Sequence, residues 1–302
     1  MKSISYHFKV IETCNMCGSP TSGHRIMGRR LNGSQGRNPK KKVGITTTVM
    51  KCTDCGLIYS NPQPIPLNIQ DHYGVPPEKY WKESYFVVDP NYFKEEIDRL
   101  RTLIEIKPGM KSLDIGAGLG KGMISMMNAG FDAYGLEPSE SFYERAISKM
   151  KIPADRLKLG MMEDLDYPEN NFDFVSFGAV LEHVYDPALC IERAMKWLKP
   201  NGILHIEVPS SDWLIHKIWN IYYALTMSEF VSNISPMHEP FHLYEFGLTS
   251  FNANAKKLGY EVAKSEYFVC RTFMPKLLDK ILVPYMDRTN KGMQLVVWLR
   301  KK

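Results

Sequence analysis

The stretch SLDIGAGLGKG, Ser112 to Gly122, constrains this chain more than any other. An apolar strand end, Leu113-Asp114-Ile115, runs straight into the turn Gly116-Ala117-Gly118-Leu119-Gly120 and then a helix that stops at Gly130. Beyond it strand and helix patterns alternate: Asp132 to Glu137, Phe172 to Phe177 and Ile203 to Val208 read as strands, and Ser141-x-x-Glu144 reads as a capping box opening a helix. Such alternation predicts an α/β fold on a mainly parallel sheet.

Glycines in the first strand–helix turn let the backbone approach a ligand closely, and the helix start presents unpaired N–H groups. Glu137 ends the second strand, where a carboxylate can meet a ribose diol at the carboxyl edge of the sheet. The spacing is not the dinucleotide fingerprint GxGxxG, whose last glycine would fall on Lys121 or Met123. No Lys-Ser/Thr pair follows, which excludes a P-loop. A purely structural glycine turn stays open on this stretch alone.

Four of the six cysteines form two CxxCG knuckles, Cys14/Cys17 and Cys52/Cys55. Each pair spans two residues, so both thiolates can face one ion, and the pattern predicts a closed, structural zinc site with four thiolate ligands. A redox dithiol and disulfides are the alternatives. Cys190 and Cys270 stand apart and read as small buried apolar residues. The net charge of +5 is uneven: residues 1–60 carry +8 and the rest −3. Much of the excess lies in RRLNGSQGRNPKKK, which reads as a solvated loop, with phosphates or an anionic surface as other partners. Pro62, Pro64 and Pro66 read as a linker, which places a domain boundary near Pro66 and divides the chain into 1–66 and 67–302.

Residues 67–93 are dense in aromatics, including Tyr73, Tyr80, Trp81, Tyr85 and Phe86, and could cover a cofactor or pack between modules. Asn91 to Ile106 has a helical period. No signal peptide or membrane-length apolar run is present, so the expected location is the cytoplasm.

Taken in order, LDIGAGLG, YGLEPS, GMMEDLDYPENNFDFV, FGAVLEHVYDP and LKPNGILHIEVP resemble a class I S-adenosylmethionine-dependent methyltransferase over roughly residues 90–302. The knuckles followed by CGLIYSNPQP are similar to the zinc-binding module on many bacterial small-molecule and sugar methyltransferases. The resemblance implies a Rossmann-like, seven-stranded sheet whose last strand, Gln294 to Arg300, is antiparallel. It implies that Asp114, Gly116, Ala117 and Gly118 hold the cofactor's methionine end, that Gly120 also belongs to the cofactor site and that Glu137 binds the ribose. Leu181-Glu182-His183 would border the cofactor. The family's adenine-binding Asp aligns with Met161, so Glu163 or backbone amides would stand in.

An activated sulfonium methyl needs an aligned nucleophile and, for a hydroxyl, a base. His183 is placed for that role; a turn-structuring histidine is the alternative. HEPFHLYEF supplies His238, His242 and Tyr244 as expected substrate contacts in a lid insertion over about 210–247. His238 with His242 could also suggest a metal. The apolar helix around Trp213 to Leu225 reads as a lid or dimer surface, with a lipid contact as the other reading. The function expected is methylation of a small molecule, a hydroxyl of a sugar or nucleotide-linked sugar. Nucleic-acid methylation, lipid or quinone methylation and a non-catalytic binding protein are the competing readings. No N/D-P-P-Y stretch or Pro-Cys nucleophile supports the nucleic-acid one.

Overall fold

The computed structural model describes residues 5–33, 44–70, 81–232, 234–238, 242–269, 272 and 274–302. Tyr73, Tyr80, Cys270 and the basic run from Arg37 to Lys42 lie outside them. The chain begins with β1 (Tyr6–Lys9), β2 (Arg25–Leu31), β3 (Thr46–Lys51), β4 (Ile58–Asn61) and β5 (Gln63–Pro66). There follow α1 (Lys94–Arg101), β6 (Lys111–Ile115), α2 (Lys121–Asn128), β7 (Asp132–Glu137), α3 (Glu140–Ser148), β8 (Leu157–Leu159) and β9 (Phe172–Gly178). The rest is α4 (Pro187–Trp197), β10 (Leu198–Pro209), α5 (Leu214–Leu225), β11 (Tyr244–Glu245), α6 (Leu248–Leu258), β12 (Glu261–Phe268), α7 (Lys276–Arg288) and β13 (Gln294–Arg300).

Seven strands form the large sheet in the order β12-β13-β10-β9-β6-β7-β8. β8, β7, β6, β9 and β10 run parallel, and β13 is antiparallel to both β10 and β12. Strand pleat sends alternate side chains to opposite faces. Val175 and Phe177 of β9 join one buried cluster with Leu113 and Ile115, while Phe174 joins the other with Trp298 and α2's Met123. Both faces are covered, so the strands read as apolar runs. The order changes direction at β6, where the chain goes one way to β7 and the other way to β9. That is where a crevice opens beyond the strand ends.

Several elements differ from the sequence reading. α1 is shorter than Asn91 to Ile106. α3 starts at Glu140 with Ser139 as its N-cap, so Ser141 lies inside the helix and no capping box forms there. Pro64 and Pro66 are not linker residues: β5 pairs antiparallel with β1 in a two-stranded ribbon, where edges tolerate a missing donor. Arg29 and Arg30 belong to β2 rather than to a solvated loop, and Arg30 is buried with its guanidinium donating to the Ile234 carbonyl.

The amino-terminal strands also recruit the later insertion. β11, from the segment between β10 and α6, completes a four-stranded sheet in the order β11-β4-β3-β2. Ile11, Met16, Leu57 and Tyr59 lie in one hydrophobic cluster with Leu181, Leu243 and Phe251. No helix among the described residues is long and apolar enough to cross a membrane.

Candidate functional site

The first cavity, of about 220 Å³, lies beyond the carboxyl ends of β6 and β7. Gly116, Gly118, Glu137, Phe142, Gly160 and Val180 are among its walls. Gly116 sits at φ +69°, and a Cβ there would meet Val180 Cγ2 at 2.5 Å. A Cβ on Gly122, in the first turn of α2, would come within 2.5 Å of Asp114 Oδ2. The glycines therefore let the turn close over Asp114 and against the β9 loop. Glu137 ties the turn in place: its Oε2 accepts from Gly118 N–H at 2.7 Å and its Oε1 from Ser139 N–H at 2.8 Å. Burial pushes the Glu137 carboxyl up to about 7. Burial, reinforced by the neighbouring Glu137, does the same to Asp114. Lone pairs left on Glu137 and the glycine edges suit a ribose with a cationic thioether end. A pyrophosphate would face the Glu137 carboxylate here.

The second cavity, of about 490 Å³, adjoins the first through Ala179 and His183, which line both. Its ionisable walls are Glu182, His183, Glu207, His238, His242 and Glu245, and Trp213 adds an aromatic surface. The β9 loop and the insertion meet here, pinned where Leu243 N–H donates to the Glu182 carbonyl at 2.7 Å. The His183 and His242 rings lie edge to face at 4.5 Å between centroids, and His238 stands 5.4 Å from His242. Burial, helped by His183, His238 and Arg30, lowers His242 to about 2, so its imidazole is neutral. Burial raises Glu182 to about 8, with Glu207 adding to the effect. Burial also raises Glu245 to about 8, against the pull of Ser235 N–H, Arg30, Lys51 and Lys217.

The expected site residues separate into two groups. Gly116, Gly118, Glu137 and His183 line the first cavity, and His238 and His242 line the second. Leu181 lines neither: its side chain is buried in the core. Tyr244 is likewise buried, pairs with Tyr59 across β11–β4 and donates its hydroxyl to the Tyr185 carbonyl at 3.0 Å. Glu163 borders a small neighbouring hollow with Met161 and accepts from Tyr185 N–H at 3.3 Å. Ala117 packs in the core and Gly120 caps α2. The N-cap of α6 is Gly247, and His242 Nδ1 shares a hydrogen bond with Ser235 Oγ. Sequence reasoning missed Val180 and Phe142 as cavity walls, and neither carried a readable signal. It placed Glu182 at the cofactor with Leu181 and His183, whereas Glu182 lines the second cavity.

Trp81 packs on α3, edge to face with Phe142 and with the Arg145 guanidinium 4.0 Å over its ring. Trp81 thus rests on Phe142, a wall residue of the first cavity.

The four knuckle cysteines converge as well. Their sulfurs all lie within 4.8 Å of one another, with Cys14–Cys55 at 3.5 Å and Cys17–Cys52 at 3.6 Å. Tetrahedral zinc with bonds near 2.3 Å would place sulfurs about 3.8 Å apart. Gly18 and Gly56 take positive φ and donate to the Cys14 and Cys52 carbonyls, closing each knuckle. The donor set fits zinc. The hydrogen bond that Cys14 and Cys55 share lowers Cys14 to about 5 and raises Cys55, and burial raises Cys17.

A family model for a methyltransferase domain matches residues 88–265, over half of the chain. The chain belongs to this methyltransferase domain family. The ubiquinone biosynthesis O-methyltransferase of Bradyrhizobium diazoefficiens is 32% identical over 111 residues, covering 35% of this chain and 42% of that protein. Phosphoethanolamine N-methyltransferase 3 of Arabidopsis thaliana is 29% identical over 134 residues, covering 41% and 26%. The matched stretches thus span less than half the length of these relatives. Among solved structures, a chain of the Haloferax volcanii complex containing the Trm112 methyltransferase activator aligns at TM-score 0.51 and 13% identity, over 78% of this chain and 97% of that one. The Rossmann-like methyltransferase fold is shared. In this methyltransferase-family chain, the glycine turn and Glu137 sit where the two halves of the sheet part, and the His/Glu cavity lies beside them.

Proposed function

We propose that the chain transfers the methyl group of S-adenosylmethionine to a small-molecule acceptor, a hydroxyl of a sugar or nucleotide-linked sugar. The observation that carries this reading is the shared wall: Ala179 and His183 border both the glycine/Glu137 cavity and the His/Glu cavity. The cofactor supplies an activated methyl when bound. Gly116, Gly118 and Asp114 hold its amino-acid end and Glu137 its ribose, leaving the methyl directed at the seam. His183 acts on the acceptor's proton there. Carboxylates and imidazoles around Trp213 give a polyhydroxylated acceptor both hydrogen-bond partners and a stacking face. Cys14, Cys17, Cys52 and Cys55 hold a structural zinc ion, closed by four protein ligands with no position open to an acceptor.

A second reading, a quinone or lipid acceptor, is favoured by one observation. α5 exposes Ile221, Tyr222 and Leu225, and Trp213, which caps the same helix, lines the acceptor cavity. Incubation with methyl-labelled cofactor and separated polar and lipid extracts, followed by mass spectrometry of the labelled product, distinguishes the two. Label in a sugar fraction is expected. Label in neither fraction, from a chain that binds the cofactor, would reject the transfer reading. A His183→Ala variant is expected to keep cofactor binding and lose about 10²-fold or more in turnover.

A further inference from the structure

We propose that Glu182, His183 and His242 bind a divalent transition-metal cation in the acceptor cavity. One ligand atom from each of the three lies within 4.8 Å of the other two, and all three side chains line the same cavity. They come from separate segments, the loop after β9 and the insertion before β11. The 2.7 Å bond from Leu243 N–H to the Glu182 carbonyl fixes one against the other.

Glu182 is the group that asks for the ion. Its side chain is 1% exposed, and its Oε2 finds no hydrogen-bond partner among the described residues. It also forms no ion pair among them. Glu245, in the same cavity, has the charges of Arg30, Lys51 and Lys217 nearby. A buried carboxylate without a counter-charge must hold a proton or meet a cation. The surroundings of His242 point the same way. Ser235 Oγ engages Nδ1, which leaves Nε2 as the nitrogen available to an ion.

Two imidazoles and one carboxylate suit manganese, iron, cobalt or zinc in the divalent state rather than magnesium or calcium, which want oxygen donors. Three protein ligands leave positions open towards the cavity. An acceptor hydroxyl occupying one would be acidified by the ion acting as a Lewis acid. Its O–H bond breaks and the proton passes to water. The oxygen lone pair then bonds to the methyl carbon as the C–S bond breaks, and that electron pair returns to sulfur, leaving a neutral thioether. With the ion bound, His183 assists the proton's departure as a ligand. The inference rests on the methyl-transfer reading for its chemistry, but the ion site can be tested without turnover.

The test is titration of the full chain with Mn2+ alone, read by loss of the free-ion electron paramagnetic resonance signal. Manganese disfavours thiolates, so the cysteine cluster does not compete. One ion per chain is expected. Glu182→Gln and His242→Gln should each weaken binding by roughly 100-fold, the upper end of what a perturbed metal shell costs. Thermal melts show which variants fold, and either one suffices. No uptake by the unsubstituted chain, or equal uptake by a folded Glu182→Gln chain, overturns the inference. Calorimetry with S-adenosylmethionine on the same samples separates the two readings. Cofactor binding without Mn2+ uptake defeats only the ion site. Mn2+ uptake without cofactor binding leaves the site standing and defeats the transfer reading.

Discussion

Glu137 shows how one side chain can set both the shape and the pH response of a site. It holds Gly118 and Ser139 by their amides while remaining almost wholly buried. Its carboxyl and that of Asp114 titrate near 7 because burial disfavours their charge. Both pKa values are raised on folding, so the folded chain binds more protons than the unfolded one between the ordinary carboxylate range and about 7. Their contribution to stability is therefore fully present in acid and is lost as pH rises through about 7. Cofactor binding runs the other way, because a sulfonium cation favours ionised carboxylates. Calorimetric affinity for S-adenosylmethionine should fall roughly tenfold for one proton taken up between about pH 8 and pH 6, and level off above pH 8. A Glu137→Gln variant should bind more weakly and with a flatter profile. An affinity independent of pH in the unsubstituted chain would show that neither carboxylate faces the cofactor.

At the level of elements, legibility followed the strength of local patterns. β7 and β13 appear at the bounds read from the sequence, Asp132–Glu137 and Gln294–Arg300, because each is a compact strand pattern. The glycine turn and Glu137 were legible because backbone approach demands those residue types in that order. β11 was not: two residues form a strand only because β4 offers them a ladder. Tyr244 read as a substrate contact for the same reason, since the partner that buries it, Tyr59, lies far back in the sequence. Glu182 read as a neighbour of His183, but its pairing with His242 depends on an insertion nearly sixty residues on. The knuckles were fully legible, and their contacts carry a consequence. Asn254 Nδ2 donates to the Met16 carbonyl at 3.0 Å and Thr249 Oγ1 to the Cys55 carbonyl at 2.8 Å, so both knuckles buttress α6. On the proposed zinc reading, a strong chelator should therefore lower the melting temperature by at least several degrees, since structural zinc contributes folding energy directly. It should also impair methyl transfer through loss of β4 and β11 alignment, with cofactor affinity changing less. An unchanged melting curve after verified zinc removal would count against this.

At the scale of the whole molecule, the amino-terminal strands form their own sheet but not their own core. Ile11, Met16, Leu57 and Tyr59 are buried against Leu181, Leu243, Tyr244 and Phe251 rather than against one another alone. Each such side chain is worth roughly 1.5–3 kcal/mol when buried. A chain cut to residues 67–302 would expose their partners and leave β11 without β4, the strand it pairs with. Insertion residues including Ile234, Ser235 and His238 wall the acceptor cavity, and Val231 and Ile234 pack on Val49 and Ile58 of β3 and β4. A detachable module would let the truncated chain fold and bind cofactor and acceptor as before. The shared core predicts otherwise: an aggregation-prone product with no acceptor binding, and cofactor binding only in whatever fraction stays folded. Size-exclusion chromatography and calorimetry on the truncated chain decide between these. Core sharing also explains the direction of failure, because deleting several buried side chains at once leaves an apolar face that water must wet.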